Sequence, residues 1–256
     1  MDIRILGAYN YESKTTSCTS LLIDGTIAFD AGGFSSNLTV TEQLQMKDVF
    51  VSHHHYDHIR DIPSIALVYC HHGEQLRIHC TDEVRDNIQR HILNGVIYPE
   101  FHRLPEAKPT IVFNTMTPYG AHEIDGYRIM AMPVQHEAGT VGYEIENGNG
   151  NSMFYTGDTG LGLGACWEAI SPKMIITEVT FSNRHQELAV DTKHLTPFLL
   201  GKELLNFADM KGYLPEVIAI HRAPSMEREI EEEIGAVARD VGAPIGLARE
   251  GKVYRV

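Results

Sequence analysis

The sequence predicts an α/β fold in which two β-sheets pack face to face and helices cover their outer sides. Three features of the chain predict it. The N-terminal stretch is typical of consecutive strands, the rest alternates strands with helices, and no low-complexity linker divides the two strand-rich halves. At 256 residues, with 43% hydrophobic and 21% charged residues, the chain can bury a core large enough for one domain spanning 1–256.

The first half of the chain begins with a predicted meander of strands, two of which are joined by the turn-forming pair Asp24-Gly25. From Met46 onwards, apolar strand patterns alternate with helical ones. The predicted elements are strands at 3–7, 19–23, 26–30 and 49–52, a helix at 59–69, and a further strand and helix within 76–91.

The second half continues this alternation. A turn-forming run of asparagine and glycine at 147–151 joins two of its predicted strands. The predicted elements are strands at 127–134, 141–146, 152–156, 173–178 and 216–220, helices at 195–207 and 226–241, and edge strands within 244–256.

Charge and composition restrict the classes of partner. A formal net charge of -13 disfavours long nucleic acids, which bind to basic surfaces, and leaves small anionic substrates open. No signal peptide pattern or membrane-length apolar run is visible, so we expect a cytoplasmic protein without a membrane partner. The four cysteines lack CxxC spacing and predict reduced, mostly buried thiols. A homodimer is the default expectation for any oligomer.

A cluster of polar side chains follows the apolar strand predicted at 49–52. In extended backbone, the side chains of His53, His55 and Asp57 project to one side, and His58 follows as the chain turns. Imidazole suits zinc, iron, nickel or cobalt, and an added carboxylate favours a hydrolytic metal site with open coordination positions. The alternative is a solvated loop with chance histidines, and the specific spacing HxHxDH argues against it.

Three further candidates directly follow predicted strands, namely His136, Asp158 and His221. Each alone is most simply a polar residue at a strand boundary. A metal site along one rim of a sheet, however, requires this arrangement of apolar strand followed at once by His or Asp. His54 falls on the opposite side of the extended segment from its neighbours and is interpreted as a non-ligand.

The ordered set of Asp30, the HxHxDH motif, His136, Asp158 and His221 resembles the metallo-β-lactamase superfamily over essentially the whole chain. The resemblance implies a four-layer αββα sandwich with two mixed sheets face to face, and a site for two divalent metal ions. Zinc is the expected metal, with manganese or iron open. By this resemblance, the ligands of one metal would be His53, His55 and His136, those of the other Asp57, His58 and His221, with Asp158 bridging them and Asp30 in support.

Two further segments resemble motifs of the phosphodiesterase and ribonuclease Z branch of that superfamily, 176–181 and 193–197. In that branch a glutamate orients a histidine near the scissile phosphate, which implies Glu178 and His194 as a proton-transfer pair. The segments 91–101 and 155–160 are similar to bacterial class II cyclic-nucleotide phosphodiesterases. Within the first, Tyr98 and Phe101 either face a nucleobase or pack in the core, and both interpretations stay open.

The resemblance therefore implies a metal-dependent phosphodiesterase that hydrolyses a small phosphodiester, with a cyclic nucleotide as the expected substrate and a metal-bridging hydroxide as the nucleophile. Asp57 is expected to orient the nucleophile as well as to bind metal. His194 is expected to protonate the leaving oxygen, and Glu178 to hold its ring.

Several alternatives remain. A tRNA 3′-end endonuclease is disfavoured by the charge of -13 and by the lack of a long basic arm. Hydrolysis of another ester, a lactone or a sulfate ester would use the same metal site. A di-iron redox or oxygen-binding protein would suit the same ligands, and a metal-binding module without turnover is a further class. The segment 8–14 replaces the glycine-rich opening loop common in these phosphodiesterases, which leaves the substrate open.

Overall fold

The computed structural model describes residues 1–256. Its strands are β1 (Asp2–Gly7), β2 (Ser20–Ile23), β3 (Ile27–Phe29), β4 (Asp48–Phe50), β5 (Leu76–Cys80), β6 (Ile111–Thr115), β7 (Ala121–Ile124), β8 (Tyr127–Pro133), β9 (Val141–Asn147), β10 (Ser152–Tyr155), β11 (Met174–Glu178), β12 (Glu216–Ile220), β13 (Ile245–Leu247) and β14 (Val253–Arg255). Its α-helices are α1 (Phe34–Asn37), α2 (Val40–Gln45), α3 (Tyr56–Ile59), α4 (Ile62–His72), α5 (Asp82–His91), α6 (Gly164–Ala169), α7 (Gln186–Asp191), α8 (Pro197–Lys211) and α9 (Glu227–Val241).

The chain forms two compact units. Unit 1 comprises residues 1–8, 12–117 and 249–255, and unit 2 comprises residues 9–11, 118–248 and 256. The expectation of a single domain over 1–256 stays a prediction. None of the helices is both long and apolar enough to cross a membrane.

Unit 1 contains a seven-stranded sheet in the order β14-β1-β2-β3-β4-β5-β6. The pairings from β14 to β3 are antiparallel, and those from β3 to β6 are parallel. Apolar side chains of β4 and β5 pack with helices α4 and α5 in one buried cluster that includes Val49, Ile78 and Ile88. Parallel strands align their carboxyl ends at one edge of a sheet, and this edge receives the segments that follow β3 and β4.

Unit 2 contains a second seven-stranded sheet, in the order β13-β12-β11-β10-β9-β8-β7. Here β13 to β10 pair in parallel, and β10 to β7 pair antiparallel. The predicted fold class of two mixed sheets with helices is thereby confirmed. The carboxyl ends of β10, β11 and β12 share one edge, as those of β3 and β4 do in unit 1.

Helix α8 has well-defined ends, and the chain enters it from the segment that precedes Thr196. The Thr196 hydroxyl accepts a hydrogen bond from Leu199 N, Pro197 occupies the first turn, and Gly212 ends the helix in the left-handed conformation with φ 75°. Leu200 and Leu204 on its inner face pack against β12 and α9. Leu195, directly before Thr196, donates to Glu178 Oε2 at 3.1 Å, which joins this segment to the end of β11.

The predicted helix at 59–69 is displaced in the structure. The helical segment divides into α3, which begins earlier, and α4, with Asp61 between them and Pro63 in the first turn of α4. The strands β6 and β7 were not predicted. The predicted edge strands within 244–256 are β13 and β14, and each lies at the edge of a different sheet.

An ionic cluster around a buried carboxylate links β4 and β5 of the unit 1 sheet. Asp48 is fully buried and accepts hydrogen bonds from Arg77 Nε at 2.6 Å and Arg77 Nη2 at 2.6 Å, and it lies 2.7 Å from His79 Nε2. His79 also stacks on the ring of Phe50, with centroids 4.4 Å apart. His79 therefore has structural partners in Asp48 and Phe50.

Candidate metal centre

The first donor set consists of His53, His55, Asp57 and His58, all in unit 1. Phe29 of β3 pairs with Phe50 of β4 in parallel register, so the segments after both strands emerge at the same edge of the sheet. The rings of His53 and His55 lie 4.6 Å apart, and those of His53 and His58 lie 4.2 Å apart. His58 Nε2 lies 3.6 Å from Asp57 Oδ2. The structure therefore brings these four predicted ligands together.

The backbone of this segment differs from the extended form expected from the sequence. His55 is extended, with φ -62° and ψ 145°, but it is the N-cap residue of α3. Asp57 and His58 lie in the first turn of that helix. A helical turn, rather than strand alternation, thus brings Asp57 to the side of the segment that carries the histidines.

Asp30 orients two rings of the first donor set from a fully buried position. Asp30 Oδ1 accepts from Ser52 N at 2.7 Å, and Oδ2 accepts from Ser52 Oγ at 2.8 Å and lies 2.8 Å from His58 Nδ1. Since the single Ser52 hydroxyl hydrogen is directed to Asp30, the 3.0 Å contact between Ser52 Oγ and His53 Nδ1 requires the His53 ring to donate. One carboxylate therefore holds His58 directly and His53 through a hydroxyl.

Gly32 allows the Asp30 loop to approach helix α3. A Cβ atom at this position would lie 2.0 Å from Asp57 O and 2.7 Å from Cys18 Cβ. The residue before it is tied to α3 and to the N-cap of α4, because Ala31 N donates to His58 O at 2.7 Å and Asp61 N donates to Ala31 O at 2.8 Å. Only glycine permits this close contact between the two segments.

The second donor set consists of His136, Asp158 and His221, all in unit 2. Glu178 pairs with Ile220 at the ends of β11 and β12, and Tyr155 of β10 lies beside Ile176. Asp158 and His221 follow these parallel strands at the same edge. His221 has a positive φ of 60°, so the chain turns sharply as soon as β12 ends.

Ligand atoms of Asp158, His194 and His221 all lie within 4.8 Å of one another. His221 Nε2 is 3.4 Å from Asp158 Oδ1, and His136 Nε2 is 4.0 Å from Asp158 Oδ2. His136 Nδ1 donates to the carbonyl of Lys193 at 3.1 Å. Burial lowers the pKa of His136, and the Asp158 carboxylate opposes this only in part. The ring therefore favours its neutral form, which is the form that binds metals.

Glu178 and His194 form the predicted pair. His194 Nδ1 lies 2.6 Å from Glu178 Oε1, and the His194 side chain keeps 14% of its surface exposed while Glu178 is fully buried. Glu178 Oε1 also accepts from Thr159 N at 2.9 Å. Glu178 is thus an acceptor for the Nδ1 hydrogen of His194, which directs Nε2 of that ring away from the carboxylate.

Sequence reasoning missed the roles of two hydroxyl groups, Ser52 and Thr180. Thr180 Oγ1 donates to Glu178 Oε2 at 2.6 Å and lies 2.8 Å from His221 Nδ1. Thr180 belongs to the segment 176–181 that carries the family resemblance, and this was the available signal. Hydroxyl side chains are common in strands and loops, so their type alone does not distinguish a bridging role.

The donor chemistry fits divalent metal ions. The predicted ligands are five imidazoles and two carboxylates, and neither donor set contains a thiolate. In four of the imidazoles Nδ1 contacts a protein oxygen, which directs Nε2 as the metal-binding atom; these are His53, His58, His136 and His221. Burial raises the pKa of Cys18 to about 11 and those of Cys80 and Cys166 to about 12, as expected for inert thiols.

The two aromatic residues left open from the sequence are part of the packing of unit 1. Phe101 is 3% exposed, and its ring lies 5.9 Å from that of Tyr98 at an interplanar angle of 57°. Tyr98 is partly buried against the same hydrophobic cluster. The structure therefore supports core packing for both.

A family model described as β-lactamase superfamily domain matches residues 20–221. Among solved structures, the chain is similar to unliganded yeast PDE1, with 17% identity, a TM-score of 0.82 and 98% of each chain covered. It is also similar to the metallo-β-lactamase fold protein YhfI from Bacillus subtilis, with 16% identity, a TM-score of 0.79 and 99% of each chain covered. For the short form of human tRNase Z, the identity is 17% and the TM-score 0.72, with 100% of this chain and 99% of that chain covered. At these identities the likeness shows a common fold. No curated protein sequence matches the chain significantly.

Proposed function

We propose, on the premise that this chain belongs to the β-lactamase superfamily, that it is a metal-dependent phosphodiesterase acting on a small phosphodiester, with a cyclic nucleotide as the proposed substrate. The observation that carries the proposal is the 2.6 Å contact between His194 Nδ1 and Glu178 Oε1. A histidine so oriented, beside Asp158 and His221, supplies a proton donor next to a metal-binding cluster. A module that only bound metal would need no such donor.

The two donor sets are proposed to hold two divalent metal ions. His53, His55 and His136 would hold one ion, Asp57, His58 and His221 the other, and Asp158 would bridge both, as the family resemblance implies. When bound, such ions supply an activated water and neutralise negative charge on the phosphate oxygens. Zinc fits a ligand set of imidazole and carboxylate, and manganese or iron would fit it as well.

The side chains of the chain itself are proposed to manage orientation and proton transfer. His194 donates the proton on Nε2 to the leaving oxygen of the phosphodiester, and Glu178 keeps the Nδ1 side of the ring in place. Asp57, whose side chain is 26% exposed, accepts a hydrogen bond from the attacking water. Glu178 can hold the His194 ring because its own carboxylate is fixed in one orientation by three backbone donors, Thr159 N, Thr180 N and Leu195 N.

A small anionic substrate is favoured over a long nucleic acid. The net charge of -13 opposes a polyanion along most of the surface, whereas a mononucleotide requires only local positive charge. The fold neighbours PDE1 and tRNase Z are compatible with chemistry at phosphorus, although the shared fold does not select between their substrates.

The test is a substrate panel with protein of defined zinc or manganese content. It contains 3′,5′-cyclic and 2′,3′-cyclic nucleotides, bis-p-nitrophenyl phosphate, a tRNA precursor, a lactone and an aryl sulfate. We expect cleavage of cyclic nucleotides and of bis-p-nitrophenyl phosphate. Turnover of the lactone or the sulfate with no turnover of any phosphodiester would refute the proposal. A coloured di-iron protein inactive on the whole panel would instead favour redox chemistry.

Replacing His194 tests the assigned proton donor. His194→Ala should lower kcat for a cyclic nucleotide by about 10²–10⁴-fold, because an alkoxide leaving group needs a proton. The loss should be much smaller for bis-p-nitrophenyl phosphate, since nitrophenolate leaves without protonation. His71→Ala, an exposed histidine of α4, is the matched control and should not change either rate. Equal losses on both substrates would show that His194 is not the acid.

A further inference from the structure

The hydroxyl of Thr180 lies at the centre of a buried polar network in unit 2. Thr180 is 1% exposed, and its Oγ1 has three polar neighbours. It lies 2.6 Å from Glu178 Oε2, 2.8 Å from His221 Nδ1 and 3.2 Å from His194 Nδ1. This hydroxyl therefore contacts the proposed acid, its carboxylate and a proposed metal ligand.

The directions of these hydrogen bonds follow from the available hydrogens. Glu178 Oε2 accepts from Thr180 N at 3.1 Å and from Leu195 N at 3.1 Å, both of which can only donate. At 2.6 Å the Thr180 hydroxyl gives its single hydrogen to the same oxygen. The hydroxyl must then accept at its 2.8 Å contact with His221, so His221 Nδ1 carries the hydrogen.

Unit 1 contains the same arrangement. There Asp30 contacts His58 directly and reaches His53 through the Ser52 hydroxyl. In unit 2, Glu178 contacts His194 directly and reaches His221 through the Thr180 hydroxyl. Each case consists of one buried carboxylate, one directly bonded ring and one ring bonded through a hydroxyl.

We propose that Thr180 is a positioning residue that fixes His221 as its Nδ1–H tautomer, with Nε2 as the metal-binding atom, and anchors it to the same carboxylate as His194. The inference rests on the proposed function only in taking His221 as a metal ligand. It adds that Glu178 acts on metal binding as well as on proton transfer.

Thr180→Val removes the hydroxyl and keeps a branched side chain of similar shape. Glu178 Oε2 retains two backbone donors, whereas His221 Nδ1 loses its acceptor. Loss of such an orienting partner lowers metal affinity by about 10–100-fold, or about 1.4–2.7 kcal/mol. Thr180→Ser retains the hydroxyl and should bind metal within about threefold of the wild type.

Thr177→Val is the matched control. Thr177 lies in β11, three positions before Thr180, and is also 1% exposed, but its hydroxyl contacts only Thr156 Oγ1 at 3.3 Å and Glu178 O at 3.5 Å. Zinc affinity is measured for all four proteins by competition with a chromophoric chelator. The ring tautomer of His221 is measured by long-range ¹H–¹⁵N NMR on metal-free protein, with His221→Asn used for assignment.

Three results would overturn the proposal. They are an unchanged affinity in Thr180→Val, an equal loss in the Thr180→Ser or Thr177→Val protein, and an Nε2–H tautomer of His221 in the wild type. The last measurement decides the matter even if Thr180→Val does not fold. A protein that binds two zinc ions and cleaves no phosphodiester would refute the proposed function and leave the role of Thr180 intact.

Discussion

Replacing Asp30 with asparagine should abolish most metal affinity while leaving the fold nearly as stable as in the wild type. Asp30 has a positive φ of 55°, a conformation that asparagine adopts as readily as aspartate. Ser52 N can only donate, so the asparagine oxygen takes the place of Asp30 Oδ1. The amide NH₂ group then faces Ser52 Oγ and His58 Nδ1, where Oδ2 accepted before.

Both of these neighbours can reverse their hydrogen bonds. His58 Nδ1 can accept, and Ser52 Oγ can accept from the amide and donate instead to His53 Nδ1. No buried donor loses a partner, so we expect a cost of about 1 kcal/mol or less. The reversal, however, places the ring hydrogen of His53 and His58 on Nε2, the atom that a metal needs. Metal affinity should fall by about 100-fold, the upper end for a single supporting residue, because two rings are affected.

Asp30→Ala should behave in the opposite way with respect to stability. Ser52 N would lose its acceptor in a buried position, which costs about 1–3 kcal/mol, and alanine in left-handed backbone costs about 1–2 kcal/mol more. We therefore expect a destabilisation of about 2–5 kcal/mol.

The assay is urea unfolding of metal-free protein, followed by circular dichroism, together with zinc competition. Wild-type zinc affinity in Asp30→Asn would refute the reasoning, as would a loss of stability equal to that of Asp30→Ala.

Two further predictions concern unit 1. Asp48→Asn should lower the free energy of unfolding by about 2–3 kcal/mol at pH 7, because the buried carboxylate bonds to Arg77 and His79. Although burial alone would raise the pKa of Asp48, the hydrogen bonds from His79 and Arg77 hold it below its usual value. The carboxylate therefore stabilises the fold above the ordinary aspartate pKa of about 3.9, and this stabilisation is lost as the pH falls through the lower pKa of the folded state. The free energies of unfolding of the two proteins should converge toward acid pH. A difference that stays constant with pH would contradict this. Gly32→Ala should cost about 1–3 kcal/mol, since the new Cβ meets Asp57 O at 2.0 Å. Gly148→Ala is the control, because an added Cβ there has no atom within 4 Å, and it should change the melting temperature little. Equal melting temperatures for the two variants would contradict the close approach of Gly32 to Asp57.

The strands that carry the donor sets could be predicted because they are apolar and buried. β4, β10 and β12 are each entirely or almost entirely buried, and each lies within or close to a predicted segment. A buried parallel strand needs apolar side chains on both faces, so the first polar residue after it marks the sheet edge. This is why His221, directly after β12, could be placed from the sequence, and Asp158 follows the end of β10 by three positions.

Elements with weaker apolar patterns could not be predicted. β7 alternates exposed and half-exposed residues and lies at the edge of its sheet, so little burial distinguishes it from a loop. The start of α3 at Tyr56 was missed because histidine and aspartate are weak helix formers. Tertiary hydrogen bonds of Ala31 with His58 and with Asp61 hold this segment and override that preference.

The hydrogen bonds of the Ser52 and Thr180 hydroxyls to histidine rings could not be predicted for another reason. Thr180 and His221 are separated by 41 positions, and the contact between them exists only after β11 and β12 pair. Ser52 is adjacent to His53, but the direction of its hydrogen bond depends on Asp30, which is 22 positions away. Residue type and spacing identify candidate metal ligands. Which nitrogen of a histidine ring carries the hydrogen, and so which nitrogen can bind metal, is fixed by long-range contacts.

The pairing of β1 with β14 has a consequence for synthesis of the chain. Asp2 lies opposite Arg255 and bonds to it across 253 positions, so one edge of β1 has no strand partner until β14 has been translated. At about 5–20 residues per second, this interval lasts roughly 10–50 s. An open strand edge invites association with other nascent chains, and charged side chains oppose it. Asp2 and Arg4 are the two charged residues of β1 and are side chains of the kind that opposes such association.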